Sequence, residues 1–413
     1  MINAPRGTQD ILSAQSKLWS LIEKTAEKVF AQAGFNEIRT PIFEDTNLFL
    51  RAVGEASDIV NKEMYTFLDK SERSLTLRPE GTAGVVRAFI ENHLEHTGKP
   101  IKLWYRGPMF RYERPQTGRY RQFHQIGLEA IGSASPHIDL EVINSGMQLL
   151  DSLKLTNLTL YINSLGNKNS RTNYINALQQ FLFAIKDKVC DDCKRRMEVN
   201  PLRCLDCKVE HDQNLYKQAP KIHEFYDEES KNIFEIIKSG LEKLSIKYHV
   251  DENLVRGLDY YDHCVFEIKC DSDVLGAQST VLGGGRYDKL IEDLGGNPNP
   301  AVGFALGLER LALLIGENQL AEEKKTFIIS DDSSEALLLA KKLRNELDLN
   351  VEFDYENSKF KKQLEKALKR NFDQVIFFLE SERQAGTFGL KKLKSNQEFK
   401  ELDFKRLCEL LLE

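Results

Sequence analysis

The stretch "FRYERPQTGRYRQFHQIGLEA", residues 110–130, alternates like a β-hairpin, yet it is rich in charged and amide side chains. Successive side chains of a strand point to opposite faces, so the second half separates a mostly polar face from a mostly apolar one. The polar face would carry Phe123, Gln125, Gly127 and Glu129, and the apolar face His124, Ile126, Leu128 and Ala130. The first half alternates likewise, with Arg111 and Glu113 opposite Phe110 and Tyr112.

Turn residues in "RPQTGR", residues 114–119, join the two halves and predict two antiparallel strands with a basic loop between them. Alternation alone fits an ordinary half-exposed hairpin just as well as a hairpin that lines a binding site. The choice between them depends on the rest of the chain.

Length and composition limit the class of protein. The 413 residues exceed one typical domain, and 41% apolar residues support a folded, soluble protein of two or three domains. The first residues form no apolar signal segment and no apolar run is long enough to span a bilayer, so we expect a cytoplasmic protein without membrane contact. The net charge of −6 implies that any polyanion is bound by local basic patches.

Changes of pattern along the chain indicate its domains. Up to residue 322 the chain shows a succession of helix-like and strand-like segments. At about residues 167–247 this pattern is interrupted by a polar, helical module that contains two CxxC pairs. After the charged linker "ENQLAEEKK", residues 317–325, strands and helices alternate over residues 326–413, which predicts an α/β domain.

Two other stretches are candidates for chemistry. "VLGGGRYD", residues 281–288, and "GFALGLER", residues 303–310, have neither P-loop nor dinucleotide-fold spacing. Gly303, Ala305 and Gly307 would leave one strand face bare, either for a flat ligand or for close strand packing. In "RGLDYYDHCVFE", residues 256–267, an arginine and two tyrosines cluster before a strand, which ordinary burial also explains.

The combination is more specific than its parts. "FRYE" at 110–113 before a loop and strand, "GLER" at 307–310 before a helix, and a strand ending near Pro41 after a long first helix resemble the three motifs of class II aminoacyl-tRNA synthetases. "LRPEGTA" at 77–83 and "LVRGLDYY" at 254–261, with the hairpin, narrow the resemblance to the histidyl-tRNA synthetase family. The resemblance implies the class II fold over residues 1–322, which is an α+β domain with a mainly antiparallel sheet flanked by helices, and an anticodon-binding domain over residues 326–413. It also implies a homodimer joined near Pro41 and the substrates L-histidine, ATP and tRNA(His).

The resemblance also assigns an ATP site. Activation brings a carboxylate to the α-phosphate, and two anions repel, so fixed cations are needed where charge develops. The catalytic residues it implies are Arg111 and Arg256, on opposite sides of that phosphate. The ATP-binding residues are Arg111, Glu113, Arg119, Phe123 and Arg310, and Mg²⁺ accompanies the outer phosphates.

A histidine pocket follows from the same resemblance. Its residues are Glu80, Gly81, Thr82, Arg111, Gln125, Glu129, Arg256, Tyr260, Tyr261 and Tyr287. Glu80, Thr82 and Gln125 would surround the ammonium group, whereas Glu129 and Tyr261 would bind the two ring nitrogens. A site built for polar atoms rejects apolar isosteres by roughly 10⁴-fold, so no editing domain is required.

Two rivals remain at this stage. One is a non-catalytic paralogue, such as the regulatory subunit of ATP phosphoribosyltransferase or a tRNA-sensing domain, which need not keep every catalytic residue. The regulatory subunit also lacks the C-terminal domain. This chain has both the expected catalytic residues and a C-terminal domain. The other rival is a class II synthetase for another amino acid, which "RGLDYY" and Glu129 disfavour.

The cysteines raise a separate question. Four of the seven form two pairs, Cys190 with Cys193 and Cys204 with Cys207, at the spacing of tetrahedral zinc ligands. The sequence predicts either a structural zinc on these four thiols or four reduced thiols that merely pack.

One helix of the C-terminal domain has a basic face. Lys362, Lys366, Lys369 and Arg370 fall on one side, with Leu364, Ala367 and Leu368 opposite. Most charged helix faces simply meet water, but the resemblance to an anticodon-binding domain favours contact with tRNA.

Overall fold

The computed structural model describes residues 2–54, 57, 59–116, 118–205, 207–256, 260–275, 279–316 and 324–413. The chain divides into two compact units, Met1–Gln319 and Leu320–Glu413. Most of the charged segment that the sequence assigns to a linker, and residues 257–259 of "RGLDYY", lie outside the described residues. None of the helices described is both long and apolar enough to cross a membrane.

The first unit combines helices with two sheets. Its described helices are α1 Ser13–Gln32, α2 Thr46–Val53, α3 Thr82–Glu91, α4 Pro136–Ser152, α5 Lys168–Ala184, α6 Asp191–Val199, α7 Glu210–Tyr216, α8 Glu228–Lys243, α9 Leu290–Asp293 and α10 Leu308–Ile315. Its described strands are β1 Asn36–Glu37, β2 Phe43–Asp45, β3 Tyr65–Leu68, β4 Ser74–Leu77, β5 Ile101–Phe110, β6 Gln122–Ile131, β7 Leu158–Ser164, β8 Tyr248–Val250, β9 Asp262–Cys270, β10 Thr280–Arg286 and β11 Ala301–Gly307.

The larger sheet has the order β1-β5-β6-β11-β10-β9-β7-β8, and the smaller has the order β2-β4-β3. In the larger sheet, all neighbours from β5 to β7 are antiparallel, whereas β1 and β8 add parallel edges. The prediction of a mainly antiparallel sheet flanked by helices is confirmed. The register places Glu129 of β6 opposite Gly303 of β11, and Gly303 opposite Gly285 of β10.

Helices cover one face of the larger sheet. The Phe30 ring of α1 packs 5.8 Å from Trp104 and 6.0 Å from Phe304, measured between ring centroids. Gly146 of α4 lets that helix approach Leu282, since a Cβ there would lie 2.9 Å from the leucine methyl group. This packing buries the apolar side chains and leaves the opposite, polar face for a binding site.

The hairpin differs in one respect from its prediction. Its first strand is β5, which begins at Ile101 and ends at Phe110, so Arg111 and Glu113 lie beyond the strand. The backbone turns there, because the Glu113 N–H donates to the Arg111 carbonyl (2.9 Å) and the Tyr112 N–H donates to Glu63 (2.7 Å). The polar alternation after Phe110 therefore belongs to an irregular connection.

The segment from 167 to 247 forms helices α5 to α8, and β8 follows at the sheet edge beside β7. Helix α8 packs closely on α4, where a Cβ on Gly240 would collide with Leu140. The close approach fixes the C-terminal end of the module against the larger sheet's helical layer.

The second unit is an α/β domain with the strand order β13-β12-β14-β15-β16. Its elements are β12 Lys325–Ile329, α11 Ser333–Leu347, β13 Asn350–Phe353, α12 Phe360–Lys369, β14 Gln374–Phe377, α13 Glu380–Ala385, β15 Phe388–Lys392, β16 Gln397–Leu402 and α14 Phe404–Leu412. The first three strands of that order are parallel, and the last two add antiparallel.

The basic face of α12 is largely neutralised. Lys366 donates to Asp354 (2.8 Å), Arg370 pairs with Glu352 (2.7 Å), and Lys362 lies 3.9 Å from Glu356. Leu368, expected on the inner face, is 53% exposed. The helical wheel does not show these pairs, because the carboxylates come from β13 and the connection that follows it. Contact of α12 with tRNA stays a prediction.

Candidate active site

A cavity of about 540 Å³ opens on the polar face of the larger sheet. The residues predicted to bind ATP or histidine that line it are Glu80, Thr82, Arg111, Glu113, Arg119, Phe123, Gln125, Glu129, Arg256, Tyr260, Tyr261, Tyr287 and Arg310. Gly81 lies just behind them, at the start of α3, where a Cβ would collide with the Tyr105 ring. The structure thus brings residues from five separate parts of the sequence into one site.

Glycines make room for charged side chains in the cavity floor. A Cβ on Gly303 would collide with the Glu129 carboxylate, and a Cβ on Gly283 would collide with the Arg256 guanidinium. At Gly307, by contrast, nothing among the described atoms lies within 4 Å of the position of a Cβ. The bare face expected for a flat ligand is therefore interrupted at Gly303, where Glu129 fills the space, whereas Ala305 and Gly307 line the cavity.

Glu129 lies at the centre of a hydrogen-bonded pocket. Its side chain is 1% exposed, Thr82 donates to Oε1 (2.7 Å), and Tyr287 donates to Oε2 (2.5 Å). Burial raises the pKa of this carboxyl group to about 8, although the two hydroxyl donors oppose the shift. A carboxyl group held this way is suited to bind a polar group that brings an N–H into the pocket.

Glu80 is fixed by the N-terminus of α3. Its Oε2 accepts from the Thr82 N–H (2.6 Å) and its Oε1 from the Ala83 N–H (2.9 Å). Burial raises its pKa, and the two amide donors act in the opposite direction. The helix start therefore orients a carboxylate whose remaining lone pairs can accept from an ammonium group.

Two arginines supply positive charge deep in the cavity. Arg111 donates from Nε to the Pro79 carbonyl (2.8 Å), and its guanidinium lies 5.3 Å from the Phe123 ring centroid. Arg256 pairs with Glu267, whose carboxylate also accepts from Thr280 (3.0 Å). Burial lowers the pKa of Arg111, and the charge of Arg256 adds to that effect. An anion between the two guanidinium groups would relieve this repulsion.

The outer part of the cavity holds more charge. Arg119 forms an ion pair with Glu113, and Arg310 donates from Nη1 to the Thr280 carbonyl (2.6 Å). The Glu113–Arg119 ion pair joins the two ends of the connection between β5 and β6. A nucleotide that used both side chains would have to exchange this ion pair for its own contacts.

The sequence profile of the histidyl-tRNA synthetase family matches residues 7–311. The chain belongs to this family. It is 47% identical to a histidine–tRNA ligase of Cyanothece sp. over 402 aligned residues, and the alignment covers 96% of this chain and 93% of the relative. It is 48% identical over 406 residues to that of Bacillus licheniformis, with 96% and 95% covered.

Solved structures agree with this assignment. The crystal structure of apo Staphylococcus aureus histidyl-tRNA synthetase covers 100% of both chains, with a TM-score of 0.81 and 38% identity. A Bacillus halodurans protein described as an ATP phosphoribosyltransferase regulatory subunit/histidyl-tRNA synthetase covers 92% of this chain and 98% of its own, with a TM-score of 0.66 and 22% identity. At that identity the second likeness extends to the fold alone.

Tyr105, Glu267 and Glu309 are among the cavity residues that the sequence did not predict. Tyr105 is inserted between two glycines, since a Cβ on Gly81 or Gly127 would collide with its ring. Glu267 binds Arg256, and Glu309 accepts from the His124 backbone N–H (2.9 Å). Glu267 and Glu309 are single acidic residues beside apolar ones, which is a weak indication of a functional role. Tyr105 stands in an apolar run, and its position in the sequence gives no such indication.

The cysteine cluster differs from its predicted ligand set. The ligand atoms of Cys190, Cys193, Cys207 and Asp212 all lie within 4.8 Å of one another. The Cys204 thiol instead donates to the Cys193 carbonyl (3.6 Å) and is not part of that group. The carboxylate could not be foreseen, because α7 brings Asp212 back to the thiols only after the chain has folded.

Proposed function

We propose that this chain is a histidine–tRNA ligase. It joins L-histidine to ATP as histidyl-adenylate, releases pyrophosphate, and transfers the histidyl group to the 3′ end of tRNA(His). The observation that supports the proposal best is the single cavity in which a buried polar pocket around Glu129 adjoins the pair Arg111 and Arg256. Relatives that bear this enzyme's name cover almost the whole chain at about 47% identity.

In this proposal the polar pocket selects histidine. Glu129 and Tyr261 bind the two ring nitrogens, while Glu80, Thr82 and Gln125 surround the ammonium group. Tyr260 and Tyr287, whose ring centroids are 5.6 Å apart, form a wall. An amino acid without ring nitrogens would leave the buried Glu129 carboxyl without its partner, which costs more than a lost contact.

The arginines carry the activation step. A carboxylate oxygen of histidine attacks the α-phosphorus, the bond to the bridging β-oxygen breaks, and pyrophosphate leaves with the electron pair. Arg111 and Arg256 bind the α-phosphate from opposite sides and stabilise its added charge. Glu113 and Phe123 bind the adenine, and Arg119 and Arg310 bind the outer phosphates. Mg²⁺ would enter the site bound to ATP and neutralise charge on the β- and γ-phosphates.

The second step and the location follow from the same assignment. The terminal ribose hydroxyl of tRNA attacks the histidyl carbonyl, and AMP leaves. We assign anticodon binding to the unit Leu320–Glu413, and ultraviolet crosslinking should attach the anticodon loop there.

A cytoplasmic location fits both this role and the seven cysteines, which are all free thiols in the structure.

Pyrophosphate exchange with ATP, measured for each of the twenty amino acids, tests the function directly. We expect exchange with histidine alone, followed by charging of tRNA(His). Absence of exchange with every amino acid would favour the non-catalytic paralogue. Exchange with a different amino acid would show that the Glu129 pocket has been misassigned.

An exposed apolar surface supports the homodimer. Phe43 of β2 and Phe67 of β3 lie on the two outer strands of the small sheet β2-β4-β3, which the chain enters just after Pro41, and are 51% and 43% exposed. Their ring centroids are 6.3 Å apart. Adjacent exposed aromatic side chains on a sheet are typical of a surface that another chain covers.

Phe43→Ser with Phe67→Ser should therefore weaken the dimer. We expect sedimentation to shift from dimer to monomer at micromolar concentration, because both side chains lose apolar burial in the interface. Leu337→Ser removes a 50% exposed apolar side chain of the other unit and serves as the control. A dimer that survives the double substitution would place the interface elsewhere.

We also propose that the cysteine cluster binds zinc as a structural ion. With zinc–sulfur bonds of about 2.3 Å, two sulfurs of a tetrahedral site lie roughly 3.8 Å apart. The Sγ atoms of Cys190 and Cys207 are 3.8 Å apart. Three thiolates and the Asp212 carboxylate are a donor set that zinc accepts, and the described Cys204 thiol lies outside it.

The ligand set can be tested by substitution. Protein prepared without chelator should contain about one zinc per chain. Cys207→Ser should release the metal, whereas Cys204→Ser should keep it, because only the former residue belongs to the group of four donors. Elemental analysis measures both, and loss of zinc from Cys204→Ser would restore the four-cysteine site. A wild-type protein without metal would leave the thiols as a packed, reduced cluster.

A further inference from the structure

One lysine of the helical module reaches the active-site cavity. Among the described residues from 167 to 247, Lys208 is the one that lines it, together with Arg119 and Arg310 of the catalytic domain. Its side chain is exposed, and no described carboxylate lies within ion-pair distance of it. The pairs formed by Glu113 with Arg119, and by Glu267 with Arg256 and Lys269, account for neighbouring cations of the cavity. Lys208 therefore brings a positive charge to the cavity mouth that none of the described carboxylates pairs with.

The backbone next to Lys208 is held on both sides. Cys207 is 4% exposed, and its carbonyl accepts from Nε2 of Gln213 (2.8 Å). The Val209 N–H donates to the Cys207 sulfur (3.4 Å). The thiol cluster and Gln213 thus fix the base of a long, flexible side chain at the cavity mouth. A fixed base restricts the volume that the ammonium group can reach.

We propose that Lys208 is a phosphate-binding residue of the active site, which the module contributes and the cysteine cluster positions. This inference rests on the proposed ligase activity. Two substrates bring phosphate into such a cavity, namely ATP with its outer phosphates and tRNA with the phosphodiester at its 3′ end. A lysine binds either as a compact point charge, and its flexible stem follows the anion without fixed hydrogen-bond geometry.

Lys208→Met tests the proposal, because it keeps the length of the stem and removes the charge. Two quantities are measured at low salt: the KM for ATP in pyrophosphate exchange without tRNA, and the KM for tRNA in charging. We expect one of them to rise about tenfold, with the difference from wild type shrinking as salt rises. Lys208→Arg should restore most of the loss, because it restores the charge.

A matched control separates this effect from a general loss of charge on the module. Lys231→Met removes an exposed lysine of α8 that pairs with Glu228 (2.9 Å) outside the cavity. We expect both KM values to stay at wild type in this variant. The melting temperatures of both methionine variants should match wild type, since both lysines are exposed.

The outcomes are distinct. A raised KM for ATP without tRNA assigns Lys208 to the nucleotide, and a raised KM for tRNA alone assigns it to the tRNA end. Unchanged values for both, or equal losses in Lys208→Met and Lys231→Met, would overturn the proposal. Failure of the proposed function would look different, because the wild-type protein would then show no histidine-dependent exchange.

The positioning role has its own test. Gln213→Leu removes the donor to the Cys207 carbonyl, so it should raise the same KM as Lys208→Met. The double variant should be no worse than Lys208→Met alone, because a misplaced lysine and a missing lysine lose the same contact. Fully additive losses would show that Gln213 does not act through Lys208.

Discussion

Arg111→Ala and Arg256→Ala should each slow histidine-dependent pyrophosphate exchange by roughly 10²- to 10³-fold, the loss typical of removing one fixed charge or donor from a transition state. Both guanidinium groups lie in the cavity, and the charge of Arg256 adds to the burial that lowers the pKa of Arg111, so an anion bound by both would be favoured. The loss should appear mainly in kcat, because the α-phosphate gains charge as the carboxylate attacks.

Arg106→Ala provides the matched control for these variants. Arg106 lies on β5 close to Arg111 in sequence and pairs with Glu23 and Glu37, but it does not line the cavity. Its substitution should leave exchange within about twofold of wild type, because surface ion pairs contribute little. Exchange at the wild-type rate in Arg111→Ala or Arg256→Ala would show that the arginine concerned does not contact the α-phosphate.

The sequence predicted features that depend on local pattern. The polar alternation of residues 123–129 correctly placed Gln125 and Glu129 on the cavity face, because a strand has a strict period of two. The same rule failed after Phe110, since backbone hydrogen bonds turn the chain at Glu113. Strand β16, "QEFKEL", has little sequence signal, because most of this edge strand is exposed and lacks an apolar face.

Pairings between distant residues could not be read from the sequence. Asp212 joins the thiols, Glu267 binds Arg256, and Asp354 neutralises Lys366 only after separate elements have packed. A helix face that looks basic on a helical wheel is therefore not necessarily a basic surface. The glycines show the same limitation, since the space beside Gly303 is occupied by the Glu129 side chain of the neighbouring strand.

Glu129→Gln should raise the KM for histidine about 100-fold and leave the KM for ATP nearly unchanged. The carboxyl group accepts from Thr82 and Tyr287 and has an oxygen lone pair left for a ring N–H of the substrate. An amide has only one oxygen, so one of the three donors would meet an N–H group instead. A donor buried without an acceptor costs its full desolvation energy. Histidine titrations in pyrophosphate exchange measure the effect.

The pKa of about 8 adds a pH dependence that identifies Glu129 specifically. Below that value the free carboxyl group is mostly protonated, and a protonated oxygen is a poorer acceptor for the ring N–H. The KM for histidine should therefore fall several-fold between about pH 7 and about pH 8.5, a range in which the free imidazole is mostly neutral. A glutamine side chain cannot ionise, so the Glu129→Gln variant should lose this slope.

The same pKa shift affects folding in the opposite direction, because histidine binding improves as pH rises whereas the free energy of unfolding falls. A carboxyl group whose pKa is raised by folding holds its proton more tightly in the folded state. Its contribution to the free energy of unfolding is fully present below the unfolded pKa of about 4.3 and is lost as pH rises towards about 8. Bound histidine offsets that loss by donating to the ionised carboxylate, so it should raise the melting temperature more at the upper end of this range.

Glu141→Gln is the control for both measurements, because Glu141 pairs with Lys102 (3.1 Å) outside the cavity. It should keep the wild-type KM for histidine and the wild-type pH slope. Equal losses of histidine and ATP affinity in Glu129→Gln would point to a collapsed cavity. A wild-type slope that persists in Glu129→Gln would assign the titration to another group, and Glu80, whose pKa burial also raises, would then be the next residue to replace.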